Sequence, residues 1–413
     1  MGTGHIKGRR DRFETEIMGG KKVRGTEKLD ALLKNFVEME RGPAGCALTV
    51  RLGEEILYEG YQGYADEGAG KKIGRDTVYR MYSCTKPITA AAAMILLEEG
   101  KILLDDPVWW YLPEYKNLTC YHYAGNNMET LIPAADMTIK HLLTMTSGFT
   151  YDGECNGTQR ETKKVLDAIK QEGFVSTREF AGRLARVPLA FQPGSHWNYG
   201  LGLDVMGAVI EEASGMGFGE FLKKRLFEPL EMPNTGFFKE EIPREQLAVM
   251  YRYQDGNRLP NESEEYKFSS AYRLESGGGG LLSTVEDMSH FAGMMAKGGI
   301  WKDKRILNYR SIELMSRNHL RGEALEDFQD THRHGWNFMS GYGYGLGVKT
   351  LIDLADSNCL GSSGEFSWAG AAGTLLSMDP VNRLSVVYAH QLMPDNREEF
   401  CHPRILNAVY SII

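Results

Sequence analysis

"VYRMYSCTKPITAAAAMILLEEGKILLDDPVWWY", residues 78–111, is the stretch from which the fold is read. From Thr85 to Glu99 it is apolar on nearly every side, and a helix that is hydrophobic all round belongs in the interior. At its head stand Ser83, Cys84, Thr85, Lys86 and Pro87. Proline is tolerated near a helix start, so Ser83 is expected in the first turn or just before it. Residues three apart on a helix share a face, their Cβ atoms about 5–6 Å apart, which brings the Lys86 amine to the Ser83 hydroxyl. A serine hydroxyl is a poor nucleophile until a neighbouring base takes its proton. Lysine can be that base only where burial or nearby positive charge lowers its pKa, and an apolar helix can supply the burial. The helix N-terminus adds a positive end that favours developing negative charge. On its own serine-x-x-lysine says little: about one match arises by chance in a chain of this length, and an isolated match reads as a helix cap followed by a surface lysine. Here the match is the only one, and it heads a buried helix.

Working outward, Leu29, Leu32, Leu33 and Phe36 recur at helical spacing and predict an amphipathic helix over Thr26–Met39. Two β-type runs, Cys46–Arg51 and Ile56–Tyr61, are split by Gly53-Glu54-Glu55 as in a hairpin. The middle of the chain predicts helices over Ile139–Met145, Lys163–Gln171, Thr177–Ala185, Leu203–Ala213 and Phe218–Leu226. A glycine run, Gly277–Gly280, precedes a helix over Val285–Ala296. Strands return at Gly345–Leu351, Gly373–Met378 and Leu384–His390, and a helix over Arg404–Ile412 closes the chain. Strands at both ends with helices between predict an α/β (α+β) protein. One α/β lobe comes from residues 26–75 and 275–413, and an all-helical lobe from residues 76–274. The active site is expected in the cleft between them.

The 413 residues are 42% hydrophobic and 25% charged, ordinary for a globular protein, with a net charge of −8. That acidity argues against nucleic acid as a partner. Residues 1–25 read as a flexible, solvated leader. The longest apolar stretch, Ile88–Leu97, is too short to span a bilayer. The first forty residues hold no secretory signal, so the expectation is a cytoplasmic protein without a membrane partner. Six cysteines (Cys46, Cys84, Cys120, Cys155, Cys359, Cys401) show no metal-type spacing and read as free thiols. His332-Arg333-His334 lacks companion ligands and reads as a solvated loop. Neither metal nor cofactor is called for, and the sequence does not fix an oligomeric state.

Residues 78–111 resemble the nucleophile segment of the β-lactamase-like serine hydrolases, which include class C β-lactamases, DD-peptidases and family VIII carboxylesterases. "HLLTMTSGFTYD" from His141, "PGSHWNYGLGLDVMGAVIEEASG" from Pro193, "GGGGLLSTVEDM" from Gly277 and "WAGAAGTLLSMDP" from Trp368 are similar to later landmarks of that superfamily, in the same order. The resemblance covers roughly residues 25–413. It implies a β-lactamase/DD-peptidase-like fold: an antiparallel sheet flanked by helices, plus a helical lobe. It makes Ser83 the nucleophile, with Lys86 and Tyr199 as acid and base.

In the second family motif, Tyr-x-Asn, the tyrosine is kept as Tyr199 while Leu201 replaces the asparagine that holds a substrate amide. In the third, Lys-Thr-Gly, this chain reads Trp368-Ala369-Gly370, similar to the Trp-Gly-Gly of family VIII carboxylesterases and related acyltransferases. The resemblance puts Trp368, Gly370 and Leu201 against the substrate, and makes the N–H groups of Ser83 and Ala371 the oxyanion hole. The implied activity is acyl-ester chemistry on a small ester or acyl substrate, with release to water or to an alcohol. A β-lactamase or DD-peptidase is the alternative, disfavoured by the two replaced motif residues. A non-catalytic sensor of the same fold is the third, disfavoured by retention of Ser83, Lys86 and Tyr199. Tyr82, Trp109, Trp110, Tyr121, Tyr123, Trp336, Tyr342 and Tyr344 are candidates to line the cleft.

Overall fold

Leu29, Leu33 and Phe36 form the buried stripe of a helix over Glu27–Glu38 (α1), as the periodicity predicts. The computed structural model describes residues 25–124, 128–330, 339–357, 359–394 and 398–413. The expected leader (apart from Gly25), His332-Arg333-His334, Trp336 and the Tyr123 side chain lie outside what is described. After α1 come the two strands of the expected hairpin, β1 (Gly45–Leu52) and β2 (Glu55–Asp66), and a short β3 (Lys71–Lys72). The apolar segment forms α2 (Thr85–Glu98), in which every residue from Thr85 to Leu96 is buried. Two more helices matter to the site, α3 (Gly202–Ser214) and α4 (Val285–Ala296), the latter capped where the Thr284 side chain accepts from the Asp287 N–H. Strands β4 (Tyr342–Tyr344), β5 (Lys349–Leu351), β6 (Phe366–Gly370), β7 (Thr374–Asp379) and β8 (Leu384–His390) follow, then a last helix α5 (Glu398–Tyr410).

These eight strands join one antiparallel sheet in the order β4-β5-β6-β7-β8-β1-β2-β3. The first strand thus pairs with the last, Cys46 opposite His390 and Leu52 opposite Leu384. Side chains alternate between faces. Cys46, Leu48 and Val50 with Val386 and Tyr388 pack with residues of α1 and α5. Ala47, Val387 and Ala389 face the other way, into a core shared with α2, α3 and α4. Both faces are therefore covered, which is why the strands read as near-continuous apolar runs.

Several expectations are redrawn. The run Gly345–Leu351 is not one strand: Gly345 donates to the Val348 carbonyl at 2.7 Å, making a turn. Gly347, at φ +72°, sits where a Cβ would come within 2.9 Å of the Ala90 Cβ, so the chain bends to pack against α2. The expected helix over Phe218–Leu226 is α-helical only to Leu222 and continues as a π-type turn over Lys223–Phe227. The final helix begins before Pro403 rather than after it. The helix-rich middle also carries two hairpins, Thr119–Ala124 with Met128–Pro133 and Tyr251–Gln254 with Asn257–Pro260. Among the described residues no helix is long and apolar enough to cross a membrane.

Candidate active site

The chain enters α2 through a short 3-10 turn, Tyr82–Cys84. Tyr82 adopts φ +43°, a left-handed conformation that costs a non-glycine residue about 1–2 kcal/mol. The turn leaves Ser83 half-exposed while Cys84 and Lys86 are buried. One helical turn on, Lys86 Nζ lies 3.2 Å from Ser83 Oγ, as the three-residue spacing requires. Tyr199, in the loop just before α3, donates its hydroxyl to Ser83 Oγ at 2.6 Å. The Ser83 oxygen is thus held between an amine and a phenol, and the amine lies 4.6 Å from the centre of the Tyr199 ring.

Lys86 has two further partners. Its Nζ donates to the Gly278 carbonyl at 2.6 Å and contacts the Tyr151 hydroxyl at 3.1 Å. Gly278 belongs to the glycine run, and the space beside it explains the glycine: a Cβ there would meet Asp204 Oδ2 at 2.3 Å. Asp204, buried in the first turn of α3, accepts the Gly278 N–H at 3.1 Å and a short hydrogen bond from Ser276. From the α2 side Thr89 donates to the Gly277 carbonyl at 2.8 Å, and Thr85 accepts the Leu281 N–H at 3.1 Å. The run is therefore clamped between α2 and α3, with one carbonyl aimed at the lysine. Burial pushes the Asp204 carboxyl above the usual carboxylate range, opposed by the charge of Lys86. Burial likewise holds the Tyr151 hydroxyl well above the ordinary phenol range, reinforced by Tyr199 beside it.

Strand β6 closes the other side. Trp368 is buried, donates its indole N–H to the Tyr199 hydroxyl at 3.3 Å, and lies with its ring 5.6 Å from that of Tyr199. Gly370 lies so close to the turn that carries Ser83 that a Cβ would fall 2.3 Å from the Met81 carbonyl oxygen. Thr374 at the head of β7 donates to that same oxygen at 3.0 Å. Ala371, exposed, is the next residue after Gly370 and begins the β6–β7 turn.

Ser83, Lys86, Tyr199, Trp368 and Gly370 are accordingly drawn together. Leu201, 5% exposed at the N-cap of α3, packs into the central core. Among the aromatic candidates, Tyr82 adjoins Ser83 and Tyr344 packs edge-on against Trp368, whereas Trp110 is exposed and Tyr342 is buried near Glu365. Two residues were not singled out from the sequence. Tyr151 sits in an irregular loop and reaches Lys86 only through tertiary packing. Asp204 carried a signal, a lone carboxylate inside an apolar helical run, which a search for buried charge would have caught.

The clamp gives a direct expectation. Asp204→Ala leaves the buried Gly278 N–H and Ser276 hydroxyl without their acceptor, at about 1–3 kcal/mol. It should therefore lower the melting temperature. It should also reduce turnover of activated esters by roughly tenfold, less than the roughly 10²–10⁴-fold lost when a positioned acid–base group is removed outright. Thermal melts and steady-state kinetics on one preparation check both; an unchanged kcat would detach the clamp from the lysine.

An antiparallel sheet with a serine–lysine pair at the head of a buried helix is the arrangement of the β-lactamase-like fold. A family model described as beta-lactamase matches residues 29–410. The chain belongs to the β-lactamase family, and its relatives include an esterase and an acyltransferase. It is 32% identical over 379 residues to esterase EstB of Burkholderia gladioli, covering 87% of this chain and 88% of the esterase. It is 28% identical over 343 residues to the ML-236A carboxylate methylbutanoyltransferase mlcH of Penicillium citrinum, covering 78% and 77%. The solved structure of simvastatin synthase (LovD) from Aspergillus terreus superposes with a TM-score of 0.79 over 94% of this chain and 98% of that one; at 21% identity this shows a shared fold.

Proposed function

We propose that the chain is a serine carboxylesterase or acyltransferase that works through an acyl-enzyme on Ser83. The observation that carries this is the position of Ser83 Oγ, 2.6 Å from the Tyr199 hydroxyl and 3.2 Å from Lys86 Nζ. Tyr199 acts as the phenolate, its charge balanced by the Lys86 ammonium: Ser83 Oγ attacks the ester carbonyl carbon and its proton passes to the phenolate oxygen 2.6 Å away. The carbonyl pair moves onto oxygen, facing the N–H groups of Ser83 and Ala371. Collapse expels the alkoxide, which takes the proton back from Tyr199, and the acyl group stays on Ser83. Water or an alcohol then repeats the steps in reverse roles, giving an acid or a new ester. The indole N–H of Trp368 at 3.3 Å fixes the orientation of the Tyr199 hydroxyl throughout. Relatives of both kinds, an esterase and a methylbutanoyltransferase, support this class of reaction.

Substrate class follows from the residues at the two altered motif positions. An ester needs mainly a nucleophile and an oxyanion site. A penicillin also presents an amide and a carboxylate, and Leu201 and Trp368 offer neither an amide partner nor a cation. Leaving two such polar groups unpaired costs on the order of 1–3 kcal/mol each, or about two to four orders of magnitude in specificity. The expected result is kcat/KM for a p-nitrophenyl acetate-to-octanoate series that exceeds that for penicillin or nitrocefin by this margin. Intact-mass analysis with and without alcohols would name the retained acyl group and the preferred acceptor. A penicillin turned over as fast as the best ester would sink the assignment.

A further inference from the structure

The turn that carries Ala371 is a three-residue connection, Ala371–Gly373, between β6 and β7, with Gly370 paired to Thr374. Gly373 has φ +97°, and its N–H donates to the Gly370 carbonyl at 2.8 Å. This is the left-handed position that such a hairpin loop reserves for glycine. Conformation alone does not account for how tightly this glycine is surrounded. A Cβ on Gly373 would fall 1.8 Å from Nε2 and 2.1 Å from Cε1 of His390, so the imidazole stands directly against the turn. His390, the last residue of β8, is fully buried. Its Nδ1 lies 3.0 Å from the Tyr388 hydroxyl, which fixes the ring plane. Buried His402, from α5, brings its Nε2 to 3.4 Å from the Gly373 carbonyl oxygen, and the Leu392 N–H donates to the Ala372 carbonyl at 3.2 Å. On the Ser83 side Thr374 ties the start of β7 to the Met81 carbonyl. The turn is thus pinned from both faces of the sheet, with the His390 ring directly against Gly373.

We propose that His390 is a positioning residue of the acyl-transfer reaction: through Gly373 it holds the Ala371 N–H at the height where the oxygen of the tetrahedral intermediate forms. The inference rests on the reading of Ser83 as the acylated nucleophile and of Ala371 as an oxyanion donor. Such a donor works only if it is 2.7–3.1 Å from the place the oxyanion will occupy, and losing one costs roughly 10²–10³ in kcat. A donor displaced but not removed costs less. Because the charge is absent in the bound substrate, a misplaced donor lowers kcat and leaves KM nearly unchanged.

The test uses the full chain with p-nitrophenyl butyrate, comparing wild type with His390→Ala and His390→Phe and recording kcat, KM and melting temperature. His390→Ala should lose about tenfold or more in kcat with KM within about twofold. His390→Phe restores a ring against Gly373 but not the contact to Tyr388; it should recover most of kcat while melting below wild type. Should the alanine variant not fold, His390→Asn, which keeps a polar group and loses the ring, should show the same kcat-selective loss. Wild-type kcat in His390→Ala or His390→Asn, an equal loss in His390→Phe, or a loss confined to KM overturns the proposal. A wild-type protein that cleaves no ester overturns the underlying reading instead.

Discussion

Ser83→Ala should abolish ester turnover and covalent labelling by fluorophosphonates while leaving the fold intact. The argument is geometric. Ser83 is the hydroxyl held between a phenol at 2.6 Å and an amine at 3.2 Å. It is half-exposed on a turn whose neighbours Met81 and Cys84 are buried. Removing one half-exposed oxygen deletes no core packing, so the melting temperature should shift little. Turnover should fall to whatever the remaining oxyanion donors and binding supply to water, several orders of magnitude below wild type. Intact mass after fluorophosphonate treatment reads the outcome, and an alanine variant that still gains the adduct mass would place the nucleophile elsewhere.

The second large effect concerns the proton carriers. Tyr199→Phe and Lys86→Ala should each lower kcat by roughly 10²-fold or more, the scale for a positioned acid–base group. The double variant should lose little beyond the worse single one, because the two act on one proton. The variants should differ in stability. Tyr199→Phe removes a hydroxyl that is part-buried and shared with Ser83 and Trp368. Lys86→Ala empties a fully buried side chain and strands the Gly278 carbonyl, so it should melt lower, by about 1–3 kcal/mol for the unpaired acceptor alone. Full activity in Tyr199→Phe would return the tyrosine to a packing role.

What the sequence disclosed follows the range of the forces involved. Ser83 and Lys86 were legible because their relation is local: three residues on a helix fix the geometry before any tertiary contact forms. The buried character of α2 was legible from its composition, and Leu384–His390 and Val285–Ala296 match their observed bounds because apolar runs flanked by turn residues leave little choice. The glycine run at 277–280 was visible in the sequence, yet only the folded chain shows that Gly278 faces Asp204 and serves Lys86. Tyr151 was hidden because nothing in an irregular loop announces its partner. Gly345–Leu351 looked like one strand because its residues suit one; the bend at Gly347 comes from Ala90, in a helix far away in sequence. Trp368 was expected to meet substrate; that its indole nitrogen also reaches Tyr199 depends on a tertiary contact no local pattern announces.

The pairing of β1 with β8 has a consequence for how the protein is made. The central seam of the sheet joins a strand near the beginning of the described chain to one near its end, Cys46 against His390. Until β8 emerges, β1 and β2 form a hairpin with one unpaired edge and an uncovered apolar face, a template for association with other chains. Such long-range closure is entropically slow. Production in cells should therefore favour slow synthesis and low temperature, and chains interrupted before Leu384 should accumulate as aggregates rather than as partly active protein. The same seam makes the acylation site one of the last parts to be completed, since the turn beside Ser83 is backed by the strand that closes it.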